Sequence, residues 1–142
     1  MKYKLLALDL DGTLTNAKKE VSSENKSAIK KAIEAGVKVI LASGRPVIGI
    51  QRIADELELD RLGGYILAYN GGHIIECKSG KTLVQQTVPM EYYHDICECG
   101  RMHGVHTLTY DANGVLAESD TAQYVQKEAY NNSISITKVD NL

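Results

Sequence analysis

The string Asp9-Leu10-Asp11-Gly12-Thr13-Leu14-Thr15 sets two carboxylates one residue apart, directly after an apolar run that ends at Leu8. Two acids at this spacing can divide a reaction between them. One stays ionised beside a metal and attacks phosphorus, while the other sits slightly off and gives a proton to the leaving oxygen. Gly12 lets the backbone turn sharply and present N–H groups to an anion. Phosphoryl transfer demands in-line placement and neutralised charge, and this loop offers both. A bare acid pair would serve equally as an acid-rich turn closing a strand. The longer string, abutting an apolar run, favours chemistry.

A second stretch, Leu41-Ala42-Ser43-Gly44-Arg45-Pro46, joins an apolar run to a helix start. A hydroxyl and free backbone amides at a helix N-terminus make a phosphate site, and Arg45 can grip an anion in bidentate fashion. By itself this stretch reads as a capping serine followed by a solvated arginine. Beside the first motif it reads as part of a site. The third stretch is Tyr69-Asn70-Gly71-Gly72. Asn-Gly is above all a turn signal, and the functional reading of Asn70 is an amide that orients a substrate. Cys97 and Cys99 have one residue between them, which on a helix points the thiols apart and does not suit zinc. They read as core or surface cysteines, and His94, His103 and His106 as packing or surface residues.

These residues need elements to hold them. Tyr3 to Leu8 reads as a buried strand of a parallel sheet, since both faces are apolar. Ser22 and Ser23 offer N-caps to a helix with Ala28, Ile29, Ala32 and Ile33 on one face, and Gly36 suits its C-terminal end. Val37 to Ala42 reads as a second strand. Pro46 suits the first position of a helix that buries Ile50, Ile53, Ala54 and Leu57. Tyr65 to Tyr69 reads as a third strand. Strand, helix, strand, helix, strand is the pattern of a doubly wound parallel sheet, whose ligands lie beyond the carboxyl ends of the strands.

After Gly72 the texture changes. His73 to Glu76 and Thr82 to Val88 read as strands joined by Lys78-Ser79-Gly80-Lys81. Met90 to His103 reads as a helix and His106 to Tyr110 as a strand. Asp111-Ala112-Asn113-Gly114 is a hairpin signal leading to a strand at Val115 to Glu118. Thr121 to Tyr130 reads as a helix and Ser133 to Val139 as a last strand. The change places a domain boundary between Thr82 and Pro89, giving a core over 1–82 and a second α/β segment over 83–142.

The 142 residues are 44% hydrophobic and 24% charged with a formal net charge of -2, the profile of a globular protein with one real core. No basic excess points to nucleic acid. No run approaches the ~20 apolar residues of a membrane span, and the first apolar run is cut off too early for a signal peptide. Three cysteines in such a chain read as reduced thiols, so a cytoplasmic location is expected.

Together the three stretches resemble the haloacid dehalogenase superfamily, and within it the Cof-type phosphatases that act on sugar phosphates and related small metabolites. Asp9-Leu10-Asp11-Gly12-Thr13 matches the family's first motif, Ser43 its second, and the Asn70-Gly71 turn looks like the Cof type. The resemblance implies a Rossmannoid parallel core followed by part of an α+β cap. It implies that Asp9 is a nucleophile that becomes a phosphoaspartate and that Asp11 is the general acid, then the base. Mg2+ would be held by the Asp9 carboxylate and the Asp11 backbone carbonyl. Leu10, Gly12, Thr13, Ser43, Gly44, Arg45 and Asn70 would surround the phosphate or substrate.

The family's later motifs, a lysine and a Gly-Asp-x-x-Asn-Asp pattern, have no match, since the chain has no Gly-Asp dipeptide. The chain is therefore expected to stop inside the cap, leaving the first strand with an unpaired apolar edge that invites self-association. Two other classes stand beside the phosphatase reading. One is a non-catalytic module that binds magnesium, phosphate or a partner. The other is a receiver-type phosphoacceptor, disfavoured because the third strand ends in Asn70 and not in an acid.

Overall fold

The computed structural model describes residues 2–142. The chain divides into two compact units, Met1–Gln86 and Thr87–Leu142. The first unit holds a five-stranded sheet of β1 (Leu5–Asp9), β2 (Lys38–Ala42), β3 (Tyr65–Ala68), β4 (His73–Glu76) and β5 (Lys81–Gln85), hydrogen-bonded in that order. The first three strands run parallel, as expected. The next two pair antiparallel, so the sheet is mixed. The reason is loop length. Parallel strands need a crossover of a dozen or more residues, and only a few residues separate β3 from β4 and β4 from β5.

Helices α1 (Ser23–Glu34), α2 (Val47–Glu56) and α3 (Leu59–Leu62) occupy the crossovers. Ser22 caps α1, its hydroxyl accepting from Asn25 N–H at 3.2 Å, and Gly36 takes a φ of +85° just past the end. Pro46 stands at the N-cap of α2, one place earlier than expected. The apolar face foreseen for that helix is correct: Ile50 and Ile53 are fully buried, with Ala54 and Leu57 beside them. The one-turn α3 escaped the sequence reading because four residues carry no periodic signal, although Leu59 is fully buried.

Alternation along the strands decides where the core lies. Val39 and Leu41 of β2 and Ile66 and Ala68 of β3 face Ile29, Ile50 and Ile53 in one cluster. The opposite face, with Ile40 and Leu67, is half-buried. β1 departs from expectation. It is not buried on both faces: among the described residues it pairs only with β2, Leu5 is 56% exposed, and Ala7 is exposed too. Its apolar composition stands on an open sheet edge, the edge the resemblance implied.

The second unit has β6 (Leu108–Tyr110), β7 (Gly114–Ala117) and β8 (Ser135–Lys138) in one sheet, with α4 (Tyr93–Met102) before it and α5 (Gln123–Asn132) between β7 and β8. β6 and β7 are antiparallel, and β7 and β8 are parallel across α5. The expected helix from Met90 begins as a 3-10 turn and becomes α-helical only at Tyr93. The β6–β7 turn forms as its residues predict, with the Asp111 carboxylate accepting from Asn113 and Gly114 N–H at 2.7 and 2.9 Å. A small core of Val115, Ala117, Val125 and Ala129 holds the unit together. Cys97 is buried and Cys99 exposed, on opposite sides of α4.

Candidate functional site

The register of the parallel strands brings three loops to one end of the first sheet. Asp9 pairs with Ala42, and Ala42 with Leu67, so β1, β2 and β3 end at one level. The Asp9–Thr15, Ser43–Pro46 and Tyr69–Gly72 segments leave from that level.

The first loop is anchored by Leu10. Its side chain is fully buried, while Asp9 and Asp11 on either side of it are exposed. Its carbonyl accepts three donors: Thr13 N–H at 3.3 Å, Thr15 N–H at 2.9 Å and the Thr15 hydroxyl at 2.9 Å. Gly12 carries a φ of +80°, the left-handed region this turn requires. Asp9 ends exposed on the strand, and Thr13 is exposed beyond it.

Arg45 is not the solvated arginine that its stretch suggests by itself. It is 8% exposed, and it does grip a carboxylate in bidentate fashion, but that carboxylate belongs to Asp11. Arg45 Nε donates to Oδ2 at 2.9 Å and Nη2 to Oδ1 at 2.5 Å, while Nη1 donates to the Gly49 carbonyl at 3.3 Å. Lys19 Nζ donates to the same Oδ1 at 2.6 Å. Both Asp11 oxygens are therefore taken. The Arg45 hydrogen bond, seconded by Lys19, holds the Asp11 carboxyl below the usual carboxylate range, against a smaller opposing effect of burial.

Ser43 is not the cap of α2 either, since Pro46 fills that position without a side-chain bond. The Ser43 hydroxyl accepts from Arg45 N–H at 3.2 Å. The third loop is braced on the second: Tyr69 N–H donates to the Arg45 carbonyl and Asn70 N–H to the Ser43 carbonyl. Tyr69 and Asn70 take φ of +51° and +54°. Asparagine tolerates that region; a bulky tyrosine does so only when its surroundings over-determine it, as these two bonds do. A Cβ at Gly44 would stand 3.1 Å from Asn70 Oδ1, so glycine lets these two loops close on each other. Asn70 is thus both a turn residue and a close neighbour of the second loop.

The structure joins Asp11, Arg45, Ser43, Gly44 and Asn70 through these direct contacts, and brings Asp9, Leu10, Gly12 and Thr13 alongside through register and loop geometry. Sequence reasoning missed Lys19. Its signal was Asn16, whose side chain accepts from Lys18 and Glu20 N–H and folds the polar segment back toward Asp11. Among the described residues no group of three or more His, Cys, Asp or Glu side chains is placed to hold a metal. None of the described helices is long and apolar enough to cross a membrane.

The parallel part of the sheet, with acid at its first strand end and an arginine-braced loop after its second, puts the chain in the class of α/β proteins whose ligands lie at strand ends. Comparison with known proteins makes that class specific. Residues 6–142 match the haloacid dehalogenase-like hydrolase family, and the chain belongs to it. A crystal structure of a haloacid dehalogenase-like hydrolase from Bacteroides thetaiotaomicron superposes with a TM-score of 0.92 at 44% identity, over 99% of this chain and 53% of that one. The 5-amino-6-(5-phospho-D-ribitylamino)uracil phosphatase YwtE of Bacillus subtilis is 38% identical over 85 residues, 60% of this chain and 27% of its own length. The pyridoxal phosphate phosphatase YbhA of Escherichia coli is 27% identical over 126 residues, 89% of this chain and 45% of its own length. The chain spans about half or less of the length of these relatives.

Proposed function

We propose that this chain carries the phosphate-binding and nucleophilic half of a magnesium-dependent phosphohydrolase for small phosphorylated metabolites of the sugar-phosphate kind, working in the cytoplasm through an aspartyl-phosphate. The observation that carries the reading is the shared level of the three loops, with the Asp9 carboxylate exposed at the end of β1. The two relatives named for their substrates, a phosphoribityl compound and pyridoxal phosphate, support a small phosphate ester.

In this reading Asp9 attacks phosphorus in line and the leaving oxygen departs on the opposite side. The Leu10 and Gly44 amides and the Ser43 hydroxyl hold the phosphoryl oxygens, Gly12 and Thr13 shape the turn beneath them, and Asn70 orients the ester. Asp11 as Arg45 and Lys19 hold it is a carboxylate, the form that takes a proton from water to release the aspartyl-phosphate. Giving a proton to the leaving oxygen requires the protonated form, which the two cations oppose. Esters whose leaving group departs readily as an anion should therefore turn over better than alkyl phosphates.

Magnesium fits the donors in kind. The Asp9 carboxylate and the Asp11 main-chain carbonyl are hard oxygen atoms, and this ion keeps several waters instead of demanding a full protein cage. The Asp11 carboxylate is already hydrogen-bonded through both oxygens, so its main-chain carbonyl is the Asp11 atom assigned to the ion. When bound, the ion would neutralise phosphate charge.

Hydrolysis of an aryl phosphate with magnesium, measured for the wild type and Asp9→Asn, tests the reading. Slow turnover is expected from the 142 residues, because Arg45 and Lys19 are engaged by Asp11, and the substitution should bring it to background. Turnover that survives Asp9→Asn would remove Asp9 as the nucleophile. A second reading, a non-catalytic module that associates through the β1 edge, draws on the exposure of Leu5 and Ala7. It expects no turnover in either protein and a concentration-dependent mass by sedimentation.

A further inference from the structure

Lys19 reaches Asp11 from a backbone conformation that a lysine does not adopt unaided. Its φ is +62°, in the left-handed region that is costly for a residue other than glycine. Asn16 supplies part of the restraint: its carbonyl accepts Lys19 N–H at 2.9 Å, and its side chain accepts Lys18 and Glu20 N–H. All of that is internal to the turn, and the Asn16–Glu20 segment is largely exposed. Two bonds tie the Lys19 residue itself to the rest of the unit. One is the Lys19–Asp11 ion pair. The other is Arg52 of α2, whose Nη2 donates to the Lys19 carbonyl at 3.0 Å.

Arg45, two residues before α2, and Arg52 within it therefore both act on Asp11. Arg45 grips the carboxylate directly. Arg52, seven residues further along, holds the backbone carbonyl of the lysine that grips the same Oδ1. The carbonyl of a residue held at positive φ points where the chain does not ordinarily send it, and a guanidinium there both satisfies the oxygen and resists relaxation of the turn.

We propose that Arg52 is a positioning residue for the Asp11 carboxylate: by holding the Lys19 carbonyl it keeps the Asn16–Glu20 turn in the form from which Lys19 Nζ reaches Asp11. This rests on the reading of Asp11 as a proton-transfer group for its functional meaning, but the contact itself is testable without turnover.

Two readouts on the 142-residue chain decide it. The first is trypsin cleavage after Lys18 and Lys19, which follows the population of the opened turn when reclosing is fast. Arg52→Ala should raise that rate by at least ~10-fold, the equilibrium factor of one hydrogen bond from a charged donor, with cleavage after Lys30 and Lys31 unchanged. Arg52→Lys, which retains a charged donor, should recover part of the protection. The second is the carboxyl 13C resonance of Asp11, assigned by its absence in Asp11→Asn. Arg52→Ala should move it toward its position in Lys19→Met, where the ammonium is gone and the backbone is kept.

Wild-type cleavage in Arg52→Ala, or faster cleavage with an unmoved Asp11 resonance, would overturn the proposal. So would faster cleavage that Arg52→Lys leaves at the alanine level. If Arg52→Ala accelerates cleavage everywhere, Arg52→Gln is read in its place, with the same expected and overturning outcomes. Failure of the phosphohydrolase reading would appear separately, as turnover indifferent to Asp9→Asn while the Arg52 effects persist.

Discussion

Each unit of this protein has an arginine that grips a carboxylate, and the two grips differ in what surrounds them. Arg45 and Asp11 meet where a helix start and a strand-end loop converge. The arginine side chain is 7% exposed and its partner 42%. Arg101 and Glu118 meet on the surface of the second unit with side chains 35% and 34% exposed, and Arg101 also serves Glu98 and the Asn141 amide. Chemistry is shared; solvation is not. A buried guanidinium that loses its carboxylate is only partly rehydrated, whereas an exposed one changes partners at small cost. The first guanidinium is thus fixed by its surroundings, and the second is an interchangeable surface contact.

The largest expected difference is in stability. Asp11→Ala leaves Arg45 buried beside Gly49 with its main partner gone. We expect a loss of roughly 2 kcal/mol, short of the ~3–5 kcal/mol of a fully buried pair because Asp11 is itself 42% exposed. Glu118→Ala should move the urea midpoint by clearly less. Equal shifts would erase the contrast.

Salt should sharpen it. About 0.5 M NaCl screens exposed charges to within a few ångströms. It should therefore shrink the effect of Glu118→Ala proportionately more than that of Asp11→Ala. The same ordering in both salts with unchanged ratios would mean that both pairs are equally solvated.

Acid acts on both grips in the same direction. Arg45 lowers the folded-state value of Asp11, and Arg101 that of Glu118. Between the lowered value and the ordinary carboxylate range near 4, the unfolded chain binds more protons, so stability rises with pH there. The contribution is complete above the ordinary range and is lost as pH falls through the lowered values. Asp11→Asn should flatten that part of the stability profile; an unchanged slope would place the linkage elsewhere.

The smallest effect concerns the thiols. Cys77 is half-buried and desolvation pushes its thiol up to about 11, while Cys99 lies exposed on α4 and Cys97 is buried. Iodoacetamide at neutral pH should label Cys99 first and leave Cys77 slow until strongly alkaline conditions, as read by intact mass and peptide mapping. Early labelling of Cys77 would show that the first unit opens more readily than its packing implies.

Much of this was legible before any coordinates. The apolar faces of α1 and α2, the three parallel strands and the turn at Asp111 are short-range patterns, where periodicity and turn chemistry act over a few residues. The pairing of β4 onto β3, the half-exposed β1 and the one-turn α3 were less so, because pairing partner and burial depend on what else lies against a strand. Asp9, Asp11, Ser43 and Asn70 stood out by type and spacing. Lys19 and Arg52 did not, being ordinary cations in a polar loop and on a helix.

The sequence by itself determined which atoms the site has available: two acids after an apolar strand, a hydroxyl and an arginine after the next, an asparagine and glycines after the third. Only the tertiary structure decided how those atoms are spent. It turned Arg45 inward onto Asp11, set Lys19 on the same oxygen and braced Tyr69 and Asn70 on the Ser43–Arg45 backbone. The physical reason is that residue type fixes charge and donor capacity, while partner choice follows from which groups are desolvated together, and segments far apart in the chain are brought together only by the packed sheet.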